Sequence, residues 1–168
     1  MGKRTGFLRP ALAMETSITL LPFEPQLVAH FARLNKAWIQ KYFALEPLDE
    51  AMLSNPQSYI IQKGGQIFFA AYNGTIAGTF ALQKVDNATY ELSKMAVDEA
   101  FQGLKIGNVM MQAAIDNAKA MGAQMLVLYS NTLLGPAIHL YRKFGFTEVP
   151  LAHSEYTRSN IKMQRTLL

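Results

Sequence analysis

Apolar residues near the N-terminus change from strand-like to helix-like spacing. The run SITLLPF, residues 17–23, predicts a first strand. Beyond Pro25, large apolar residues recur at intervals of four, three, four and four, which is one face of a helix: Leu27, Phe31, Leu34, Trp38 and Tyr42. A second, shorter helix is predicted from Leu48 to Leu53, because Asn55-Pro56 stops it.

The middle of the chain predicts an antiparallel meander. The runs QIFFAAY and TIAGTFALQKV are separated by Asn73-Gly74, the strongest two-residue hairpin signal. A third run, ATYELSKMAV, follows after Asp86-Asn87. Strict alternation in this run predicts two opposite faces, with Tyr90, Leu92, Lys94 and Ala96 on one and Glu91, Ser93, Met95 and Val97 on the other.

The pattern after residue 105 predicts a β-α-β unit followed by closing strands. Apolar residues at helical spacing begin at Ile106 and end before Gly122. The run QMLVLYS is typical of a buried strand, and the intervening helix makes it parallel to the preceding strand. A last helix starts at Gly135-Pro136, and TEVPL and IKMQRTLL supply closing strands. The sequence therefore predicts a mixed α/β domain.

Composition excludes several classes of function. The chain has 168 residues, half of them hydrophobic, which suits one compact domain. It has no cysteine, so disulfides, thiolate metal sites and a thiol nucleophile are excluded, and its three histidines lie too far apart in sequence to predict a metal site. The net charge of +4 is scattered, which suits a small anionic ligand and gives nucleic-acid binding little support. No run reaches 18 apolar residues, so no membrane span is expected.

The N-terminal residues are basic and poorly patterned. Their apolar stretch is too short, and too broken by Arg9 and Pro10, for a secretory signal. We interpret residues 1–14 as a flexible leader and residues 15–168 as a single domain. A cytoplasmic location is the corresponding expectation.

A glycine-containing turn, from Gln102 to Gly107, precedes the long helix. The N-terminus of a helix leaves backbone N–H groups unpaired and carries partial positive charge, so it favours a phosphate. Gly103 and Gly107 have no side chain to keep a phosphate away from the backbone. Most such turns bind nothing, and the chain contains neither GxxxxGK[ST] nor a GxGxxG after an early strand. A nucleotide triphosphatase and a dinucleotide dehydrogenase are both disfavoured.

Four segments in a fixed order carry a more specific signal: YELSKMAVDEAFQGLKIG, the long helix, LVLYSN and AIHLYRKFGF. Together they resemble the GCN5-related N-acetyltransferase (GNAT) superfamily, and the resemblance extends from Gln66 to about Val149. It implies a twisted, mostly antiparallel sheet of about six or seven strands with about four flanking helices. It also implies a splayed parallel strand pair at a cofactor cleft.

The resemblance implies that acetyl-coenzyme A (acetyl-CoA) binds along two segments. The family pattern [RQ]xxGx[GA] binds the diphosphate through backbone N–H groups, and its six places are occupied here by Gln102, Gly103, Leu104, Lys105, Ile106 and Gly107, with Asn108 the next cofactor-binding candidate. Lys105 stands where the family usually has glycine, and its ammonium group either attracts a phosphate or stays solvated. The main chain of Met95, Ala96 and Val97 matches the segment that pairs with the pantetheine arm.

Three further residues match positions that act in the family. Tyr141 matches the general acid that protonates the thiolate leaving group, although its helix face also suits the core. Glu91 is the leading candidate for the general base, and its rival interpretation is an exposed strand glutamate. Asn131 either orients the cofactor side of the cleft or caps its own loop.

The acceptor pocket is implied to lie between the first helices and a C-terminal segment. The stretch from Phe31 to Pro47 would form its wall, yet helical spacing favours core positions for its aromatic residues Phe31, Trp38 and Tyr42. Near the C-terminus, three residues are candidates to close over the acceptor: Tyr156, Arg158 and Asn160.

The sequence thus leads to one main hypothesis. It is an acetyl-CoA-dependent N-acetyltransferase that modifies a small-molecule or peptide amine by direct attack, since no cysteine exists to carry the acetyl group. A non-catalytic module that senses acyl-CoA is the alternative. The resemblance leaves a monomer and a homodimer both open.

Overall fold

The structure is a computed structural model that describes residues 17–167. The predicted leader therefore lies outside the described residues. The strands are β1 (Ile18–Pro22), β2 (Gln66–Tyr72), β3 (Thr75–Lys84), β4 (Thr89–Val97), β5 (Met125–Ser130), β6 (Thr147–Val149) and β7 (Ile161–Thr166). The α-helices are α1 (Val28–Tyr42), α2 (Pro47–Ser54), α3 (Ile106–Ala120) and α4 (Gly135–Lys143). Short helical turns occur at Pro25–Leu27, Gln57–Ile61 and Glu99–Phe101.

The seven strands form one mixed sheet in the order β1-β2-β3-β4-β5-β7-β6. Neighbouring strands run antiparallel except for β4 and β5, which are parallel because α3 connects them. The predicted fold class is confirmed. No helix within residues 17–167 is both long and apolar enough to cross a membrane.

Helices cover the sheet on both faces and bury a separate apolar core on each. On the face of α3 and α4, which we call the α3 face, Phe80 and Leu126 pack with Met110. On the face of α1 and α2, which we call the α1 face, Phe69 packs with Phe31 and Leu53. A strand in this sheet therefore places alternate side chains in two different cores.

The hairpin between β2 and β3 forms where the sequence predicts it. Asn73 and Gly74 both have positive φ, 48° and 86°, which is the requirement of a two-residue type I′ turn. The turn joins strands that pair from Tyr72 with Thr75 to Gln66 with Leu82.

Strand β4 departs from the predicted alternation at Lys94. Ser93 lies opposite Ala81 and Ala96 lies opposite Thr79, so a bulge interrupts the ladder between these two pairs. Lys94 has a positive φ of 52°. Its side chain reaches α2, so the prediction that it shares a face with Leu92 is wrong.

Beyond the bulge, the side chains of β4 exchange faces. Met95 and Val97 pack against the α3-face core that also contains Leu92, and not on the face of Ser93. The extra residue shifts the two-residue period by one position, which is why strict alternation fails here.

The predicted core face of α1 is correct only in its first half. Phe31 is fully buried, whereas Tyr42 is 51% exposed and Trp38 borders a cleft. Phe31 and Tyr42 differ in direction by only about 20°, so the difference in burial comes from position along the helix: Tyr42 is the last residue of α1. The interpretation of Trp38 and Tyr42 as core residues is corrected accordingly.

Gly78 on β3 lets α3 pack closely against the sheet. A Cβ atom at this position would lie 2.9 Å from the Met110 sulfur and 3.2 Å from Cγ2 of Ile106, the first residue of α3. Because both neighbours are buried, we expect Gly78→Ala to lower the free energy of unfolding by about 1–3 kcal/mol. Urea denaturation measures this change.

Gly135→Ala is the matched control for this substitution. A Cβ atom there meets nothing within 4 Å, and Gly135 does not have the positive φ that would strain an alanine. Equal denaturation midpoints for the two variants would contradict the role of Gly78 in placing α3.

Candidate active site

The cleft lies where β4 and β5 separate. Their parallel pairing ends at Glu91 opposite Val127, although β4 continues to Val97 and β5 continues to Ser130. A cavity of about 240 Å³ opens between the separated ends. The main chain of β4 beyond Glu91 consequently has one edge that β5 does not pair.

Most of the residues predicted for cofactor binding and catalysis border this one cleft: Glu91, Met95, Ala96, Val97, Gln102, Asn131 and Tyr141. Residues from both faces of the sheet contribute, because the cleft passes between the separated strands. Trp38 of α1 and Phe43, which follows it, line the cleft from the α1 face. Leu134 and Ala137 line it from the side of α4.

The turn that leads into α3 carries free backbone donors. Among the described residues, the N–H groups of Lys105–Asn108 have no hydrogen-bond acceptor, and no side chain caps the helix. The turn follows Gln102, which borders the cleft. Four unpaired N–H groups at the positive end of a 15-residue helix provide a fitting environment for a diphosphate. Gly103, Leu104, Lys105, Ile106, Gly107 and Asn108 thus lie on this turn and in the first turn of α3.

Lys105 occupies the N-cap position of α3 in the left-handed conformation, with φ of 62°. Glycine adopts this conformation without steric cost, whereas a residue with a Cβ does so less readily. The side chain is exposed beside the free N–H groups. The geometry agrees with both interpretations of its ammonium group.

Two substitutions separate the charge of Lys105 from its backbone conformation. If the ammonium attracts a phosphate, we expect Lys105→Met to weaken coenzyme A (CoA) binding about threefold at low salt, with less difference at high salt. Lys105→Gly should weaken binding to the same degree and raise stability by about 1 kcal/mol, since it relieves the left-handed conformation. Calorimetric titration at two salt concentrations measures the first effect. Unchanged affinity of Lys105→Met would establish the solvated interpretation.

Tyr141 lies on α4 and packs against the α3-face core, with its ring centroid 6.2 Å from that of Phe146. Burial raises the pKa of its hydroxyl to about 12, against a smaller lowering by the Ser130 hydroxyl. The phenol is therefore protonated at every physiological pH and can donate a proton into the cleft that it borders. The ring of Tyr141 thus packs against the core while the residue borders the cleft.

Glu91 is the carboxylate at the point where β4 and β5 separate. Burial and, to a lesser extent, the charge of Glu155 raise its pKa to about 7, against opposing effects of Lys94 and Lys162. A carboxyl with this pKa is partly deprotonated at neutral pH, as a general base requires. The structure does not place Glu91 as an ordinary exposed strand residue.

Asn131 uses its side-chain amide within the loops around the cleft. Its Oδ1 accepts from the N–H of Leu133 at 2.8 Å, and its Nδ2 donates to the carbonyl oxygen of Arg158 at 2.7 Å. These contacts match the interpretation as a loop-capping residue. They also tie the loop after β5 to the segment between β6 and β7, residues 150–160, which we call the strap.

The strap covers the α1 face of the cleft. Two of its three predicted residues, Tyr156 and Arg158, border the cleft. Asn160 instead bonds the loop after β5, since its Oδ1 accepts from the N–H of Thr132 at 2.9 Å. Arg158 lies over the rings of Trp38 and Tyr156, at 5.6 Å and 4.4 Å from their centroids.

A buried ionic network beneath the strap was not predicted from the sequence. Asp49 of α2 is fully buried and accepts from Lys94 at 2.6 Å and from both Nη atoms of Arg158 at 2.6 and 2.7 Å. Although burial opposes it, hydrogen bonds from Arg158 and Lys94 lower the pKa of Asp49 to about 2. The only signal in the sequence was a lysine within an apolar strand pattern, between Leu92 and Ala96.

A separate groove of about 570 Å³ adjoins the cleft and shares Glu91, Tyr129 and Tyr156 with it. Within residues 17–167, no group of three or more His, Asp or Glu side chains is arranged to hold a metal ion. The cleft itself is bordered by the carboxylate of Glu91 and the phenol of Tyr141.

Comparison with known proteins identifies the class. Residues 31–146 match the model of the acetyltransferase (GNAT) family. The uncharacterized N-acetyltransferase YvbK of Bacillus subtilis is 27% identical over 116 residues, covering 67% of this chain and 75% of that protein. The chain belongs to the acetyltransferase (GNAT) family and is an acyltransferase.

Solved structures share the fold. A GNAT-family acetyltransferase of Staphylococcus aureus superposes with a TM-score of 0.80 at 22% identity, covering 90% of this chain and all of that one. A GNAT-family acetyltransferase of Elizabethkingia anophelis with acetyl-CoA bound has a TM-score of 0.61 at 21% identity, covering 89% of this chain and 97% of that one. At these identities the likeness concerns the fold alone.

Proposed function

We propose that this acyltransferase moves an acetyl group from acetyl-CoA to a primary amine by direct attack. The diphosphate binds the N–H groups of Lys105–Asn108, and the pantetheine arm lies along the free edge of Met95–Val97. The thioester then lies between Glu91 and Tyr141. The observation that carries the proposal is that a carboxyl with a pKa near 7 and a protonated phenol border the same cleft.

The two side chains divide the proton transfers between them. Glu91 takes a proton from the acceptor ammonium, directly or through water, which frees the nitrogen lone pair for attack on the thioester carbonyl. The C–N bond forms, the C–S bond breaks, and the thiolate receives the proton of the Tyr141 hydroxyl. The acylated nitrogen then loses its second proton, which restores the Tyr141 hydroxyl directly or through water, and Glu91 returns its proton to solvent. Direct attack needs no covalent enzyme intermediate, in keeping with a chain that has no cysteine.

Aromatic side chains shape the acceptor half of the cleft, on the α1 face. Trp38, Phe43, Tyr129 and Tyr156 all border it. The two cations nearby, Lys94 and Arg158, are already paired with Asp49. An acceptor amine would therefore approach Glu91 between aromatic walls.

Calorimetric titration with acetyl-CoA, CoA and ATP tests the first part of the proposal. Micromolar binding that is selective for the two CoA species is expected, because ATP has no pantetheine arm to lie along β4. A panel of small-molecule and peptide amines is then assayed by thiol release. Failure to bind any of the three ligands would refute the proposed cosubstrate site.

The alternative of a sensor of acyl-CoA makes a different prediction in the same experiment. A sensor would bind acetyl-CoA but release no thiol with any amine. The raised pKa of Glu91 beside Tyr141 supports the enzyme, because a sensor has no need of a base with a pKa near neutrality.

A further inference from the structure

Strand β4 has its bulge at Lys94, a buried lysine that takes part in no proposed catalytic step. The side chain of Lys94 is 3% exposed, and its Nζ donates to Asp49 at 2.6 Å and to the Tyr156 hydroxyl at 3.0 Å. The same Nζ lies 4.3 Å from the centroid of the Tyr156 ring. Lys94 adopts the left-handed conformation, which a lysine adopts at a steric cost when nothing holds it there.

The bulge at Lys94 decides which side chains of β4 face the cofactor half of the cleft. With the bulge, Met95 and Val97 pack on the α3 face, where Tyr141 also packs. A strand without the bulge would turn both side chains to the α1 face, because a shift of one residue reverses every position beyond it. The free main-chain edge of Met95–Val97 would be displaced with them.

We propose that Lys94 is a positioning residue for acetyl-CoA. Its ammonium, tied to α2 through Asp49 and to the strap through Tyr156, holds the bulge that presents Met95–Val97 to the pantetheine arm. The inference rests on the proposed function, since it takes acetyl-CoA as the ligand of the cleft. It adds an anchor that joins the acceptor side of the protein to the cofactor segment of β4.

The partners of Lys94 remain in place when its ammonium is removed. Asp49 keeps both bonds from Arg158 and also accepts from the N–H of Glu46 at 2.9 Å. Lys94→Met therefore leaves no unpaired buried carboxylate and retains the size of the side chain. This variant tests the anchor without dismantling the network around it.

Calorimetry with two ligands separates positioning from general damage. The ligands are CoA and adenosine 3′,5′-bisphosphate, which has the nucleotide end without the pantetheine arm. We expect Lys94→Met to lose about tenfold in affinity for CoA, because several hydrogen bonds along β4 are misplaced, and to keep its affinity for the nucleotide within about twofold. Lys119→Met, an exposed lysine in the last turn of α3, is the matched control and should bind both ligands as the parent chain does.

Equal affinity of Lys94→Met and the parent for CoA would overturn the inference, as would equal losses for both ligands. If circular dichroism shows that Lys94→Met is unfolded, Lys94→Gly takes its place. Glycine adopts a positive φ without an anchor and so keeps the bulge; its CoA affinity should therefore stay within about threefold of the parent, and a loss of about tenfold would overturn the inference. A parent chain that binds neither ligand contradicts the proposed function itself. A parent that binds CoA beside a Lys94→Met variant that binds it equally contradicts only the role of Lys94.

Discussion

Replacing Tyr141 by phenylalanine is expected to lower kcat at least 10²-fold while changing acetyl-CoA affinity by less than about threefold. In the proposed mechanism the phenol supplies the proton that the leaving thiolate needs, and its raised pKa keeps that proton in place throughout the working pH range. Phenylalanine retains the ring that packs against the α3-face core, so the cleft keeps its shape. Single-turnover thiol release and calorimetry measure the two quantities separately.

A poorly basic leaving group provides an internal control for this prediction. An acetyl thioester of an acidic thiol needs little protonation as it departs, so its transfer should suffer much less from Tyr141→Phe than transfer from acetyl-CoA. A similar loss with both donors would show that the hydroxyl acts by shaping the cleft. Unchanged kcat with acetyl-CoA would remove Tyr141 from the mechanism altogether.

The order of the elements was predictable because their signals are local. Three of these signals each depend on residues that are close together in sequence: the helical spacing of apolar residues, the Asn73-Gly74 hairpin and Gly122 at the end of α3. The four motif segments follow one another along the chain, and most of the residues predicted from them border one cleft. The confirmed fold class follows from this consistency between local pattern and overall topology.

The bulge of β4 could not be predicted, since the residues that Lys94 contacts there are distant in sequence. Lys94 takes its conformation beside Asp49, 45 residues earlier, and Tyr156, 62 residues later. A two-residue pattern contains no sign of such partners. The error in the faces of Met95 and Val97 follows directly from the extra residue of this bulge.

The environment of Glu91 is likewise set by residues that the sequence does not connect to it. Its pKa depends on burial at the strand separation and on Glu155 of the strap, with opposing effects from Lys94 and Lys162. From the sequence, the position of Glu91 on β4 made it a candidate for the general base. Only the folded arrangement distinguishes a base near neutrality from an exposed carboxylate with an ordinary pKa.

Glu91→Gln should reduce kcat/KM about 10²-fold at pH 8 and alter its pH dependence. In the parent, kcat/KM should rise with pH through about 7 as the carboxyl loses its proton. Glutamine has no titrating group, so the variant should lack this limb and retain only the rise due to the amine itself. Rates with the best acceptor of the panel, measured from pH 5 to pH 9, provide the comparison.

Glu155→Gln tests the same base without removing it. The negative charge of Glu155 raises the pKa of Glu91, so its loss should move the limb near pH 7 to lower pH. A limb that stays in place in Glu155→Gln, or that survives in Glu91→Gln, would assign the titration to another group.

Glu91→Gln should raise the stability of the protein at pH 8, although it lowers the activity. The carboxyl has a higher pKa folded than unfolded, so the folded chain binds the proton more tightly, and stability falls as pH rises from about 4.5 to about 7. At pH 8 the parent carries the full cost of a buried charge, and the neutral amide removes it. The variant should therefore unfold at a higher denaturant concentration than the parent at pH 8 and at a similar one at pH 4. A variant more stable than the parent at pH 8 would show that the charge of Glu91 costs stability, as expected of a side chain kept for catalysis. A variant less stable than the parent at pH 8 would mean that the charge stabilises the fold.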